Sequence, residues 1–418
     1  MQLVERHIIQ RNHPHYQEID SLCLAAKNLY NYANFLMRQN FIFNHKYLDN
    51  NCLAKQLNSS QTYQALPAKV AQQVLLGLDR NWLSFFTAIK AYTENKYKDQ
   101  YQDKLLGRPK LPKYKHKEKG RHILVYTAQA VNKPKMKVGL INLSQTHIYI
   151  PTSLDYSRLH QVRIVPKIDH YVVEVVYEKE ELDYDLEQDA IAAIDLGIDN
   201  LATLTANKPG FVPVLVKGRI IKSVNHYYNQ QKSKFQSLLP TAQKTSKRLQ
   251  RLTKKRNFRI DDYLHKASRL IIDLMVKNGI GTLVIGQNPL HQQNANLGGT
   301  HHQNFVFIPH NRLVQQLSYK AKLVGIKVLI AEESYTSAAS FLDQDPIPTH
   351  GETHAHQVKF SGQRIRTKLY RAGNGLLIHA DVNGSLNILR KVVPTAFSQG
   401  ITGVVVRPVG VIPGEQIA

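Results

Sequence analysis

Three acidic positions have the residue types and surroundings to do chemistry. Asp195 closes an apolar run over residues 190–196 and precedes Gly197, so it ends a predicted buried strand that turns into a hairpin partner over residues 201–205. A carboxylate there is costly unless water, a basic side chain or a metal ion meets it. Glu332 and Glu333 follow a second apolar run, residues 326–331, and Asp381 follows a third, residues 376–380, just ahead of a helical pattern. Acids at three such ends repel one another if they converge. They suit two divalent cations roughly 3.5–4 Å apart, which activate a water and stabilise the leaving oxygen of a phosphodiester. Singly, each has a plainer reading: Asp195 as a turn residue, Glu332 or Glu333 as solvated side chains, and Asp381 as the cap of a helix from Asn383 onward.

The elements that must position these acids follow from periodicity. Residues 225–257 have a helical pattern interrupted near Pro240, and a second helix carries Ala267, Leu270, Ile271 and Leu274 on one face and stops at Asn278 and Gly279. Then come a strand over 282–285, a polar loop rich in Asn, Gln and His, a helix over 311–324 ending at Gly325, and the strand 326–331. That alternation predicts an α/β half with a partly parallel sheet, whose ligands sit at the carboxyl ends of the strands. Lys244, Lys247, Arg248, Arg251, Lys254 and Lys255 fall at i, i+3, i+4, i+7, i+10 and i+11, placing six cations on one predicted helical face. Like charges so spaced repel, and a nucleic-acid backbone relieves the repulsion.

The first half differs in character. A strand over residues 2–10 precedes helical patterns over 17–45 and, with Leu75, Trp82, Phe85 and Ile89 on one face, between Pro67 and Tyr97. Residues 104–121 are basic and proline-broken, with Lys110, Lys113 and Lys115 around Tyr114; that mixture fits a linker that tracks a nucleic-acid backbone. Strand signals occupy 122–126, 146–150, 162–165 and 171–177, predicting a small β-barrel or sheet completed by the N-terminal strand, and the acidic run 178–189 reads as a linker. The 418 residues carry 55 Lys and Arg against 31 Asp and Glu, a formal charge of +24 that implies a polyanionic partner. Cys23 and Cys52 are too few for a disulfide framework or a four-thiolate zinc site, and no run has the length of a membrane span. The expectation is a soluble, cytoplasmic protein.

Asp195 with Gly197, the Tyr335 to Ser337 element, and residues 379–388 around Asp381 resemble the three parts of the RuvC-like, RNase H-fold nuclease domain of the transposon-encoded TnpB family, relatives of type V CRISPR effectors. Residues 28–31, 107–114 and 259–266 also resemble that family. The resemblance implies an α+β and α/β multidomain chain. In it a wedge-like β-barrel (1–12 and 119–180) holds an inserted helical recognition region with its basic linker (13–118). A RuvC-like nuclease domain (181–400) and a C-terminal tail (401–418) follow. It further implies a Mg2+-dependent DNA endonuclease, guided by RNA from the transposable element, that cuts double-stranded DNA beside a short flanking motif and resides in a prokaryotic cytoplasm, on the nucleoid when bound to DNA. Asp195, Glu333 and Asp381 would hold two Mg2+ ions.

The chain departs from the family twice. Many relatives carry the second acid where this chain has Gly286; some supply it from the next strand, and Glu333, two residues before Tyr335, fits that pattern, with Glu332 as the alternative. Residues 338–371, where relatives often have two cysteine pairs, hold no cysteine, so no zinc is expected; His350, His354 and His356 lie there in a polar loop. Two rival functions are a nuclease-deficient RNA-guided repressor, suggested by Gly286, and a transposase acting by strand transfer.

Overall fold

The computed structural model describes residues 1–95, 107–241, 243–287, 308–349, 358–398, 400–401 and 403–415. The chain divides into two compact units, Met1–Lys179 and Glu180–Ala418.

In the first unit the N-terminal strand Gln2–Ile9 pairs antiparallel with Tyr171–Glu178, which continues to Leu159–Pro166 and then to Leu124–Thr127. The described pairing is thus an open four-stranded sheet where a barrel was one expectation; Gln2–Ile9 and Leu124–Thr127 are its edges. Between them in sequence come the long helices Tyr16–Asn44 and Ala68–Asn95. Their apolar faces meet around Trp82, which is fully buried against Phe41, Phe85 and Phe86 and donates its indole N–H to Asn34 Oδ1 at 3.1 Å.

The second unit is built on a six-stranded mixed sheet. Its order runs Lys327–Ala331, Ile280–Gly286, Glu187–Leu196, Asn200–Ala206, Val214–Lys217, Val409–Val411. The first three strands are parallel, as strand–helix alternation requires, and Asn200–Ala206 is the antiparallel hairpin partner of Glu187–Leu196. Side-chain alternation splits the central strand between two cores. Ala190, Ala192 and Ile194 face the helices Lys247–Lys277 and His310–Lys322. Ile191 and Ala193 pack with Val382, Leu386 and Leu389 of the helix Ala380–Val392. Asp195 continues the second series, so it belongs to the face covered by that helix.

Several expected boundaries move. The central strand starts at Glu187, inside the predicted acidic linker, because that residue pairs with Ile280. The cations do not all share one helix: Ser246 caps Lys247–Lys277 by accepting from Leu249 N, which leaves Lys244 before the first turn. From Lys247 that helix runs unbroken for 31 residues, merging the two helices expected, since no Gly or Pro interrupts it before Gly279. The expected C-terminal tail contributes the strand Val409–Val411 to the sheet, parallel to Val214–Lys217. The Asn/Gln/His-rich loop over 288–307, and His350, His354 and His356, lie outside the described residues.

Candidate active site

The sheet register brings the acid-bearing ends to one level. Ile194 pairs with Ile285 and Gly286 with Ala331, so Asp195 stands beside Gly286, and Glu333 follows two residues past the end of the next strand. Neither Glu332 nor Glu333 is in the strand, which stops at Ala331. Across from them the helix Ala380–Val392 begins with His379 as its N-cap, its Nδ1 accepting from Asp381 N at 3.3 Å. Asp381 is therefore a first-turn residue and not the cap.

Two glycines let the acids approach. A Cβ on Gly384 would lie 3.0 Å from Asp195 Oδ2, so a side chain there would press on that carboxylate, and the glycine lets the helix pass close to it. A Cβ on Gly286 would lie 2.9 Å from Glu333 Oε2 and 2.5 Å from Ile388 Cδ1. The Glu333 carboxylate thus occupies the space beside the strand end where a side chain at 286 would start.

The neighbouring glutamate is committed elsewhere. Glu332 accepts from Lys391 Nζ at 2.6 Å and from Ser334 N at 2.7 Å. Burial pushes its carboxyl up, but these bonds hold it below its ordinary value overall. Lys391 also donates to the carbonyls of Ser334 at 3.0 Å and Pro348 at 3.1 Å. One turn and two turns back, Asn387 donates to Thr336 O and Ala339 O, and Asn383 donates to Ala339 O while accepting from Phe341 N. One stripe of a single helix thereby holds the segment that carries Glu333.

Asp195 feels the charges of both Glu333 and Asp381. The Asp195 carboxyl is raised well above its ordinary value by burial, then by the charges of Glu333 and Asp381, with Arg364 opposing. Asp381 accepts from Asn200 Nδ2 at 2.7 Å and from Arg364 Nη2 at 3.3 Å. Asn200 Oδ1 in turn accepts from Lys217 Nζ at 3.4 Å. Among the described residues no three His, Cys, Asp or Glu side chains are gathered tightly enough to hold an ion as they stand. The donor set is nevertheless the one a hard divalent cation takes, oxygen ligands whose mutual repulsion a cation would relieve.

Arg364, Asn200 and Gly384 escaped the sequence reading. Gly384 left a signal, since an isolated glycine inside a helical pattern often marks close packing. Arg364 left none that separates it from the other cations of a polar stretch.

The basic candidates have mixed settings. Lys247, Arg248, Arg251 and Lys255 are exposed, and Lys254 is partly buried. The Arg248 guanidinium lies 4.0 Å over the Phe235 ring. In the first unit, residues 107–120 are fastened along Tyr16–Asn44: Lys27, Asn31 and Asn34 donate to the carbonyls of Lys117, Lys115 and Pro112. Lys110 and Lys113 are exposed. Tyr114 sits under the Arg38 guanidinium, and Lys115 Nζ lies 5.4 Å over the Tyr30 ring, its pKa lowered by burial.

Fold and site together define a mixed α/β protein in which a buried carboxylate at the end of the central strand feels the charges of Glu333, past the end of a neighbouring strand, and of Asp381, in the first turn of the covering helix. Residues 170–290 match the OrfB_IS605 family, described as "Probable transposase", and residues 310–388 match the "Cas12f1-like, TNB domain" family. Together these matches support a TnpB-like family for the chain. No curated protein matches it. Among solved structures, a Cas12f1–sgRNA–target DNA complex is 12% identical, covering 92% of this chain and 98% of that one at a TM-score of 0.37. The mini-RNA-guided endonuclease CRISPR-Cas_phi3 is 10% identical over 98% of this chain and 94% of its own, at 0.45. CasPhi-2 (Cas12j) bound to crRNA is 11% identical over 98% of this chain and 99% of its own, at 0.43.

Proposed function

We propose that this chain is an RNA-guided DNA endonuclease in which Asp195, Glu333 and Asp381 hold Mg2+. The observation that carries the reading is the setting of Asp195, a buried carboxyl raised by that burial and then by the charges of Glu333 and Asp381, with Glu333 and Ile388 both reaching the space at Gly286. The family matches, which begin in the first unit and extend to residue 388, point the same way. Divalent cations bound there would supply activation of a water and stabilisation of the leaving oxygen.

The protein's own groups have separate tasks. Asn200 orients Asp381 and is itself oriented by Lys217. Arg364, beside Asp381 with several N–H donors, orients a backbone phosphate against the acids. Lys247, Arg251 and Lys255 contact nucleic-acid backbone, as do Lys110 and Lys113, while base pairing with the guide selects the sequence. In this reading the second unit is the RuvC-like nuclease domain, and the first combines wedge and recognition parts.

The test is cleavage of a plasmid that carries a guide-matched target and a randomised flank. The protein is purified with its co-expressed flanking RNA and assayed with Mg2+ or EDTA. Breaks that require Mg2+, matching RNA and Asp195 are expected. Guide-dependent binding without breaks would make the chain a repressor, and joined DNA products would make it a strand-transfer transposase.

A further inference from the structure

In the hairpin that carries Arg364, Tyr370 is seated in the core with Phe341 and Leu386, whereas the strand Gln363–Arg366 itself buries no residue fully. The strands Gln363–Arg366, Leu369–Arg371 and Leu377–His379 form a separate three-stranded sheet, and such small elements need a staple. A staple is visible at its base. Asp343 accepts from Ser340 Oγ at 2.6 Å, Ser361 Oγ at 2.9 Å, Gly373 N at 2.6 Å and Asn374 N at 3.3 Å. Asp345 accepts from Ser340 N at 2.8 Å and Ser361 N at 3.0 Å. Both serines are thus held by both acids. Tyr370 adds its hydroxyl to Ala338 O at 2.8 Å.

We infer that Asp343 is a positioning residue of the site: its carboxylate clasps both ends of this hairpin and so holds Arg364 on Asp381. Ser361 leads into the strand with Arg364, and Gly373 and Asn374 lead out of its partner strand. The far end of the same hairpin places Arg364 on Thr367 O and on Asp381. Two glycines permit the closure, because a Cβ on Gly362 would meet Arg371 O at 2.6 Å and one on Gly373 would meet Ser361 Cβ at 3.0 Å. The arrangement is the electrostatic inverse of a metal knuckle. Its centre is an anion, and the backbone N–H groups around it point hydrogens, which ligate no cation, at that centre. Zinc does not fit these residues; the hydrogen bonds take the place of a structural metal.

The cleavage consequence rests on the nuclease reading, whereas the clasp itself does not, so the test has two arms. In the first, hydrogen exchange is followed in the purified full chain. Asp343→Asn, which turns one acceptor into a donor facing donors, is expected to speed exchange in the hairpin by about tenfold or more and to leave the strands Glu187–Leu196 and Asn200–Ala206 unchanged. EDTA is expected to leave wild-type exchange unchanged. In the second arm, Asp343→Asn is expected to slow guided cleavage by about tenfold with guide and target binding intact, and to add nothing in an Arg364→Ala background. Exchange equal to wild type, an equal loss of cleavage in both backgrounds, or a stoichiometric zinc whose removal loosens the hairpin would overturn the inference. Should Asp343→Asn not fold, Ser361→Ala removes a single donor at an exposed residue, and the same pattern is expected with smaller amplitude. If the wild type makes no breaks, the nuclease reading fails and the exchange arm alone decides.

Discussion

At Asp195, stability and the proposed function oppose each other. Its carboxyl is raised in the folded chain, so the folded state binds that proton more tightly than the unfolded state. Without a cation the charged form therefore costs stability at neutral pH, and the cost lessens as pH falls through the raised folded value. Asp195→Asn is expected to stabilise the protein in EDTA by about 0.5–2 kcal/mol, seen as a higher melting temperature, and to abolish the gain from added Mg2+. An unchanged or lower melting temperature would show that the acids do not strain the fold. The paired glutamates give a sharper contrast. Glu333→Gln is expected to cut guided cleavage by more than about a hundredfold, while Glu332→Gln, which keeps a group to accept from Lys391, is expected to keep most of it. A larger loss from Glu332→Gln would reverse the assignment.

At the scale of elements, the helix Ala380–Val392 does most of the placing. Asn383, Asn387 and Lys391 recur every four residues and each bonds the segment over 332–348. Lys391→Met removes the ammonium from which Glu332 and two carbonyls accept, leaving Glu332 only its bond from Ser334 N; a loss of about 1–3 kcal/mol in urea unfolding is expected, with Lys391→Arg recovering much of it. Because the Glu332 carboxyl lies below its ordinary value, its contribution is present at neutral pH and is lost as pH falls through its folded value. Equal stabilities of Lys391→Met and wild type at neutral pH would remove this role. The same helix illustrates what sequence could disclose. Apolar runs ending in Asp195 and Glu333, and the helical pattern after Asp381, were legible because burial and periodicity mark them. The polar stripe was not, since Asn and Lys on a helix usually face water and only tertiary packing shows that these do not. Arg364 was hidden for a related reason: the clasp that places it pairs residues 18 to 31 positions apart through short polar side chains, which carry no periodic signal. Lys244 misled because its spacing continues the cationic face, while the cap that excludes it depends on Ser246.

Across the whole molecule the dominant fact is charge. The formal +24 is unevenly spread: residues 243–260 contain eight Lys and Arg and no Asp or Glu. Farther along the helix cations meet acids, with Lys266 on Asp262 and Arg269 on Asp273. A helix neutralised at one end and left cationic at the other concentrates its positive field over the first turns, where Lys247, Arg251 and Lys255 are exposed. Backbone phosphates bound there would release condensed counterions, and affinity would then depend steeply on salt and little on sequence. Replacing these three residues together with Gln is expected to weaken guide RNA and target DNA binding to a similar degree for matched and mismatched sequences. It should also flatten the plot of log affinity against log salt by about 0.7–0.9 for each phosphate contact removed. Folding stability in added salt should change little, because these side chains are exposed. A triple variant with the wild-type salt slope would place the polyanion elsewhere on the chain, and a loss confined to one sequence would mean that these residues read bases instead of backbone.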